Sequence, residues 1–255
     1  MFIHYRTEAI ILKKEERAEA DQIFTIFTRD FGKIEILGRG IRKIKSKLRA
    51  GMEQFSLSEI EFIQGKIYKT LTDAVLIDNF PKIKKDLKKL AIAFRISEVF
   101  GKLVKGEEPD IKIWNLLVEV FNKLNDWESE IIYYYFLWNF LSILGYQPEL
   151  YNCCICQKLI KPARIATQSV TGGEGNVYFS AEEGGLICGR CKKISKPFKK
   201  IDFETIKLLR LFLKKDWYIL KRLNIKTIKL DLLRLISDYF LFSIIQIDEN
   251  KLRPR

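Results

Sequence analysis

Along the first eighty residues apolar and polar positions alternate in short bursts, and each burst ends at glycine or charge. Arg6 to Lys13, Gln22 to Thr28, Lys33 to Gly38, Gln54 to Ile63 and Lys66 to Ile77 are rich in Ile, Phe, Thr, Val and Leu. Turn-forming stretches such as Asp30-Phe31-Gly32 and Gln64-Gly65-Lys66 separate them, so the pattern predicts five strands. Phe55 and Leu57 share one phase, whereas Ile60 and Phe62 share the other. Such a switch predicts a β-bulge, which helps a small sheet to curve and close. The expectation is a five-stranded barrel of the OB type.

The period then lengthens. Leu87, Leu90, Ala91 and Phe94 follow helical spacing, and Ile113, Leu116, Leu117 and Val120 repeat it after a start signal at Pro109-Asp110. Glu130 to Leu144 is apolar nearly all round, as a central helix is, and stops at Gly145 with Pro148 just beyond. Gln147 to Pro197 reads as loop and contains all five cysteines. Helical spacing returns at Leu232, Leu235, Ile236 and Tyr239, so the cysteine segment reads as inserted into a helical body. The fold class expected is α+β: a barrel over residues 1–78, then a helical domain over 79–255 with an insertion at about 147–197.

Charge changes the picture. Lys and Arg number 45 against 32 Asp and Glu, a formal net charge of +13. Such a surplus favours polyanionic partners. It is also clustered: Lys33, Arg39, Arg42, Lys43, Lys45, Lys47 and Arg49 occur together with Glu35 as the single acid, and Gly38, Gly40 and Ser46 predict a flexible loop. A basic loop on a small barrel suits phosphate contacts. Nearby Phe24, Phe27, Phe31 and Phe55 could stack on bases, although most phenylalanines of a small barrel are core. A second cluster, Arg190, Lys192, Lys193, Lys196, Lys199 and Lys200, reads as an extension of the nucleic-acid surface or a hold for an acidic partner peptide, and equally as a solvated linker.

The cysteines form two Cys-x-x-Cys pairs, Cys153/Cys156 and Cys188/Cys191, separated by 31 residues. Pairs so spaced can direct four sulfurs at one tetrahedral Zn²⁺, and a closed four-sulfur site is structural. Cys154 falls outside that pattern. No secretory leader is visible, and the longest apolar run, Ile131 to Leu144, is too short to span a bilayer and contains Asn139 and Ser142. A cytoplasmic protein is therefore expected, with no membrane partner. Thr171 to Gly175, TGGEG, lacks the Gly-Lys-Ser/Thr ending of a P-loop. The single histidine, His4, has no nucleophile beside it in sequence, and no carboxylate pair has nuclease-like placement. No catalytic residue is expected. OB barrels and zinc knuckles also serve RNA, so an RNA-binding module is the alternative.

Several stretches together resemble one family. DQIFTIFTRDFG at Asp21 to Gly32, GRGIRKIKSKLRAG at Gly38 to Gly51, and LGYQPEL at Leu144 to Leu150 leading into Cys-x-x-Cys are similar to the bacterial DNA repair and recombination mediators of the RecO family. The resemblance implies binding to single- and double-stranded DNA and annealing of complementary strands. It implies docking on the acidic C-terminal tail of single-stranded DNA-binding protein (SSB) and, with RecR, loading of RecA recombinase, near the nucleoid during repair. It also implies that Cys153, Cys156, Cys188 and Cys191 hold zinc and that the basic residues between Gly38 and Gly51 contact DNA.

Overall fold

The computed structural model describes residues 3–65, 67–127, 130–161, 176–194, 197–222 and 230–252. The TGGEG segment and Lys196 lie outside them. The chain divides into two compact units, Met1–Tyr133 and Tyr134–Arg255.

In the first unit, strands β1 (His4–Arg17), β2 (Asp21–Thr28), β3 (Gly32–Gly38), β4 (Leu57–Ile63) and β5 (Lys69–Asp78) form a closed barrel. Their order around it is β1-β2-β3-β5-β4, with β3 and β5 parallel and β1 and β4 antiparallel. Alternation fills it: Ala9, Ile11, Phe24, Ile26, Ile34, Ile36, Ile60, Phe62 and Leu71 face one core, and a small barrel has room inside only for such side chains. Phe24 and Phe55 are fully buried, as is Phe27, and Phe31 packs on Tyr5 and Phe62. These rings are core.

The barrel is irregular where curvature is needed. The register of β4 on β5 shifts between Leu57 and Ser58 and again between Glu61 and Phe62. Phe55, at φ +57°, precedes β4 and turns its ring toward Phe94 and Phe121, which explains the phase switch in the sequence. A further bulge lies in β1: Ile11 opposes Ile26, Leu12 is skipped, and Lys13 opposes Thr25. The Leu12 carbonyl, lost to the ladder, accepts from Gln54 Nε2 (2.9 Å) and Ser97 Oγ (3.0 Å).

Three helices complete this unit: α1 (Pro81–Lys85), α2 (Leu87–Leu103) and α3 (Ile111–Asp126). Asp86 caps α2 through the amides of Lys88 and Lys89, and Asp110 caps α3 through Lys112 and Ile113. The face expected for α3 is buried. That expected for α2 is not. Leu87 and Phe94 are exposed, and Ile92, Ala93, Ile96, Val99 and Phe100 point inward with Lys89, whose ammonium donates to the Asn125 carbonyl. The α2 sequence is apolar over more than half its circumference, so two stripes compete, and packing of Phe100 on Phe27 decides between them.

Helix α4 (Ile131–Ile143) carries the division between units and ends at Gly145, whose φ of +93° permits the Tyr146 amide to reach Leu141. In the second unit the cysteine segment is not merely loop. It holds β6 (Val177–Ser180) and β7 (Gly185–Cys188), and β8 (Lys199–Ile201) just beyond it completes a sheet of order β7-β6-β8. Helices α5 (Phe203–Leu213), α6 (Trp217–Arg222) and α7 (Leu230–Leu252) follow. On α7 the buried stripe is Leu233, Ile236, Phe240 and Ile244, one position from the expected one, and Leu235 is exposed. Buried Asn139 on α4 donates to the Tyr135 and Phe212 carbonyls, and Trp138 donates to Ser237 and stacks on Phe240. No described helix is long and apolar enough to cross a membrane.

Phe24 has no polar role and fills the barrel centre. Phe24→Ala is expected to lower unfolding free energy by about 3–5 kcal/mol, read from urea denaturation followed by circular dichroism.

Candidate nucleic-acid interface and metal centre

The chain must travel from the end of β3 to the start of β4 across one mouth of the barrel. Residues 39–56 make that crossing, with a short 3-10 helix at Lys47–Met52. Two apolar residues, Ile41 and Met52, drop into the barrel core. The Arg42 amide donates to Ala20, the Gly40 amide to Asp21 Oδ1, and Ser58 Oγ to Gly51. Gly51 lies so close to β5 that a Cβ there would sit 2.5 Å from the Ala74 carbonyl oxygen. The flexible hairpin expected from the glycines is therefore an anchored crossover. Burial of Ile41 and Met52 leaves Arg39, Arg42, Lys43, Lys45, Lys47 and Arg49 exposed on its outer side. Of these six cations, only Arg42 has an acidic partner among the described residues, Glu16 at 3.3 Å.

Lys33 does not join them. It sits at the other end of β3, and its ammonium donates to the carbonyls of Gly101 and Val104 at the C-terminus of α2. That end carries the negative pole of the helix dipole, which favours a cation. Burial lowers the Lys33 pKa, and Lys105 adds to the effect against Glu35. Its charge is committed to packing a helix on the barrel. His4 is likewise structural in placement, with Nδ1 at 2.7 Å from Glu61 Oε1. Thr72 also bonds Glu61, and the two hydrogen bonds hold that carboxyl below its usual range.

Two features near the crossover are missed by sequence reading. Ile44 is 95 % exposed in the middle of the cations. Lys14 and Lys84 join Arg42 and Arg49 around a cavity of about 380 Å³ at the barrel mouth, with Gln22, Ile41, Met52, Glu53 and Gln54. Only the folded register brings residues so distant in sequence together.

In the second unit the Sγ atoms of Cys153, Cys156, Cys188 and Cys191 all lie within 4.8 Å of one another. The first pair sits on a tight turn in which the Gln157 amide reaches Cys153 (2.9 Å) and Gln157 adopts φ +58°. The second pair caps β7 and opens a 3-10 turn at Cys191. Backbone bonds from Glu149 to Gly184, Leu186 to Glu149 and Cys154 to Leu186 join the two. Gly185 allows that approach, since a Cβ there would meet the Glu149 carbonyl oxygen at 2.3 Å.

This donor set fits a tetrahedral soft metal. Sulfurs about 2.3 Å from a common centre are roughly 3.8 Å apart, and Cys156 and Cys188 are separated by 3.8 Å. All five cysteines are free of disulfides. Burial pushes the Cys153 thiol up, but the amides of Cys156, Cys188 and Ile155 outweigh it and bring the pKa to about 7. Burial and the neighbouring sulfurs push Cys191 up to about 12. A bound cation would reverse that cost, because coordinated thiols are deprotonated. Cys154 is outside the cluster; burial, with Cys153, Glu149 and Glu183 nearby, raises it to about 11. Beside the knuckles Lys158, Lys161 and Arg190 line a cavity of about 290 Å³, and Lys192 lies over the Tyr178 ring. Lys199 lies over Tyr239.

The chain has known counterparts. Residues 1–80 match the family model "Recombination protein O N terminal", and residues 84–251 match "Recombination protein O C terminal". The chain is 31 % identical over 220 residues to DNA repair protein RecO of Caldanaerobacter subterraneus, covering 85 % of this chain and 83 % of that one. It is 33 % identical over 213 residues to the protein of the same name from Dehalococcoides mccartyi, with 83 % and 79 % covered. A third, from Listeria monocytogenes, is 27 % identical over 208 residues, with 81 % and 76 % covered. With both halves matched in order along nearly the whole chain, this protein belongs to the RecO family.

Proposed function

We propose that the protein is a non-catalytic DNA-binding recombination mediator acting in DNA repair. In this reading it anneals complementary strands and, with RecR, helps load RecA onto single-stranded DNA coated by SSB, whose acidic tail it engages. The observation that carries the reading is the anchored crossover: six exposed cations, five of them without an acidic partner among the described residues, held on a fixed frame at one end of an OB-type barrel. Arg39, Arg42, Lys43, Lys45, Lys47 and Arg49 supply the phosphate contacts; Lys33, committed to α2, supplies none. The names of the relatives support DNA as the polyanion. The working domains are 1–78 and 79–255, with the metal module at about 147–197, and the protein acts in the cytoplasm, at the nucleoid.

The metal is zinc, one per chain, held by Cys153, Cys156, Cys188 and Cys191. Its part is structural: it would tie the turn at Cys153 to the end of β7. Four thiolate ligands leave no open coordination position for chemistry.

Strand annealing with and without SSB coating, titrated against salt, tests the proposal. Acceleration that survives coating and fades with salt is expected; no acceleration in either condition overturns it. Replacing Arg39, Arg42 and Lys43 together by Ala should weaken DNA binding and flatten its salt dependence, the log–log slope falling by roughly 0.7 for each phosphate of a single strand that is no longer neutralised. Elemental analysis should find one zinc in the wild type and in Cys154→Ser, and none in Cys191→Ser. Since structural zinc contributes about 10–16 kcal/mol of apparent binding free energy to local folding, chelation should lower the melting temperature of the wild type and leave Cys191→Ser unaffected.

A further inference from the structure

The β1 bulge decides which side chains of that strand face the cavity at the barrel mouth. Residues directly opposite in an antiparallel pair share a face of the sheet. Beyond Leu12, Lys14 opposes Phe24 and Glu16 opposes Gln22. Phe24 faces the barrel core, and Gln22, two residues away, lies on the same face. Lys14 and Glu16 therefore stand on the inner face of the strand where it passes beyond the core. Lys13 and Glu15 stand on the outer face and form an ion pair there. Ile41 and Met52 floor the cavity, Arg42 and Arg49 reach it from the crossover, and Lys84 reaches it from α1.

Four cations around about 380 Å³ would repel one another, and two carboxylates hold them in check, Glu53 in the lining and Glu16 behind Arg42. Glu16 pairs with Arg42 at 3.3 Å, and Glu53 pairs with Lys84 at 2.6 Å. Lys14 and Arg49 have no such partner among the described residues. The lining thus keeps a surplus of positive charge, with two donors unclaimed by any acid and two that an incoming anion can draw from their carboxylates. The volume is at the lower end of the range for small-ligand sites, roughly 300–1,000 Å³, and the mouth of a barrel is a recurrent place for one.

We propose that this mouth is a seat for a single phosphodiester of a DNA strand, held by Lys14, Arg42, Arg49 and Lys84 and contested by Glu16 and Glu53. The assignment rests on the DNA-binding reading above and refines it. The seat opens beside the exposed cations of the crossover and shares Arg42 and Arg49 with them, so a strand tracking those cations delivers a phosphate to it. Guanidinium groups grip such an anion through two parallel hydrogen bonds. The two acids act as internal competitors: they hold the cations in place without DNA and weaken binding with it. An acidic residue in the seat therefore lowers affinity, whereas a mere structural pair would support it.

Thymidine 3′,5′-bisphosphate, inorganic phosphate, an Asp-rich peptide and a fluorescent oligothymidylate are the probes, at low salt, on the full chain. Lys14→Gln/Arg49→Gln is expected to weaken bisphosphate and oligonucleotide binding by about tenfold or more, as loss of charge-assisted hydrogen bonds does. Lys13→Gln removes the same charge one residue away on the outer face and should leave both within about twofold, since exposed pairs contribute little. Glu16→Gln/Glu53→Gln should tighten both several-fold. Equal melting temperatures establish that each variant is folded. The bisphosphate should compete with the oligonucleotide. Oligonucleotide binding unchanged in Lys14→Gln/Arg49→Gln overturns the seat and leaves the DNA reading standing; no oligonucleotide binding by the wild type overturns both. Inorganic phosphate that binds as tightly as the bisphosphate without displacing the oligonucleotide marks a free-anion site and overturns the assignment. So does an Asp-rich peptide that binds through Lys14 and Arg49 where the bisphosphate does not.

Discussion

The parallel pairing of β3 with β5 is the constraint on which the first unit depends. It consists of two residue pairs, Ile36 with Lys69 and Leu37 with Thr70, yet it closes the barrel. Closure separates β3 from β4, the next strand in sequence, by one intervening strand, so the connection has to pass over the barrel end. A segment forced across an apolar opening must plug it, and Ile41 and Met52 do so. The cations of the segment are left on its outer side. The basic surface is thus a by-product of topology as much as of composition: the same six cations in a free hairpin would spread, whereas here hydrogen bonds to the Ala20 carbonyl and the Asp21 carboxylate anchor the segment that carries them.

The second unit answers a different constraint. Four sulfurs within 4.8 Å are unfavourable as thiolates unless a cation neutralises them. The fold brings them together regardless, through three backbone bonds and a glycine that allows strand and turn to touch. The centre is therefore built to receive a charge. The sheet order β7-β6-β8 links the centre to the strand leading into α5, where Asp202 caps the helix through the Thr205 amide.

What the sequence discloses follows from how local each feature is. Strands announce themselves because side chains alternate strictly, and all five barrel strands fall where alternation puts them. The cysteine pairs are legible because two intervening residues fix how their sulfurs converge. Helix faces are less so: in α2 and α7 aliphatic residues occupy adjacent stripes, and contacts such as Phe27 with Phe100, or Trp138 with Phe240, select one. Helix α5 carries a readable stripe in Ile206, Leu209 and Phe212, overshadowed by the lysines on either side of it. Lys33 looks like one more member of a basic run until its partners, Gly101 and Val104, are known. The mouth cavity is the least legible feature, because a single skipped residue in β1 decides which lysine and which glutamate face inward.

Lys13-Lys14-Glu15-Glu16 doubles each charge, so a slip of one residue in the β1 arm would exchange Lys14 and Glu16 for Lys13 and Glu15 and present the same two groups to each face. Most strands invert their chemistry when their register moves by one. This arm does not: its message has the same meaning in either reading frame, one lysine and one glutamate on each face.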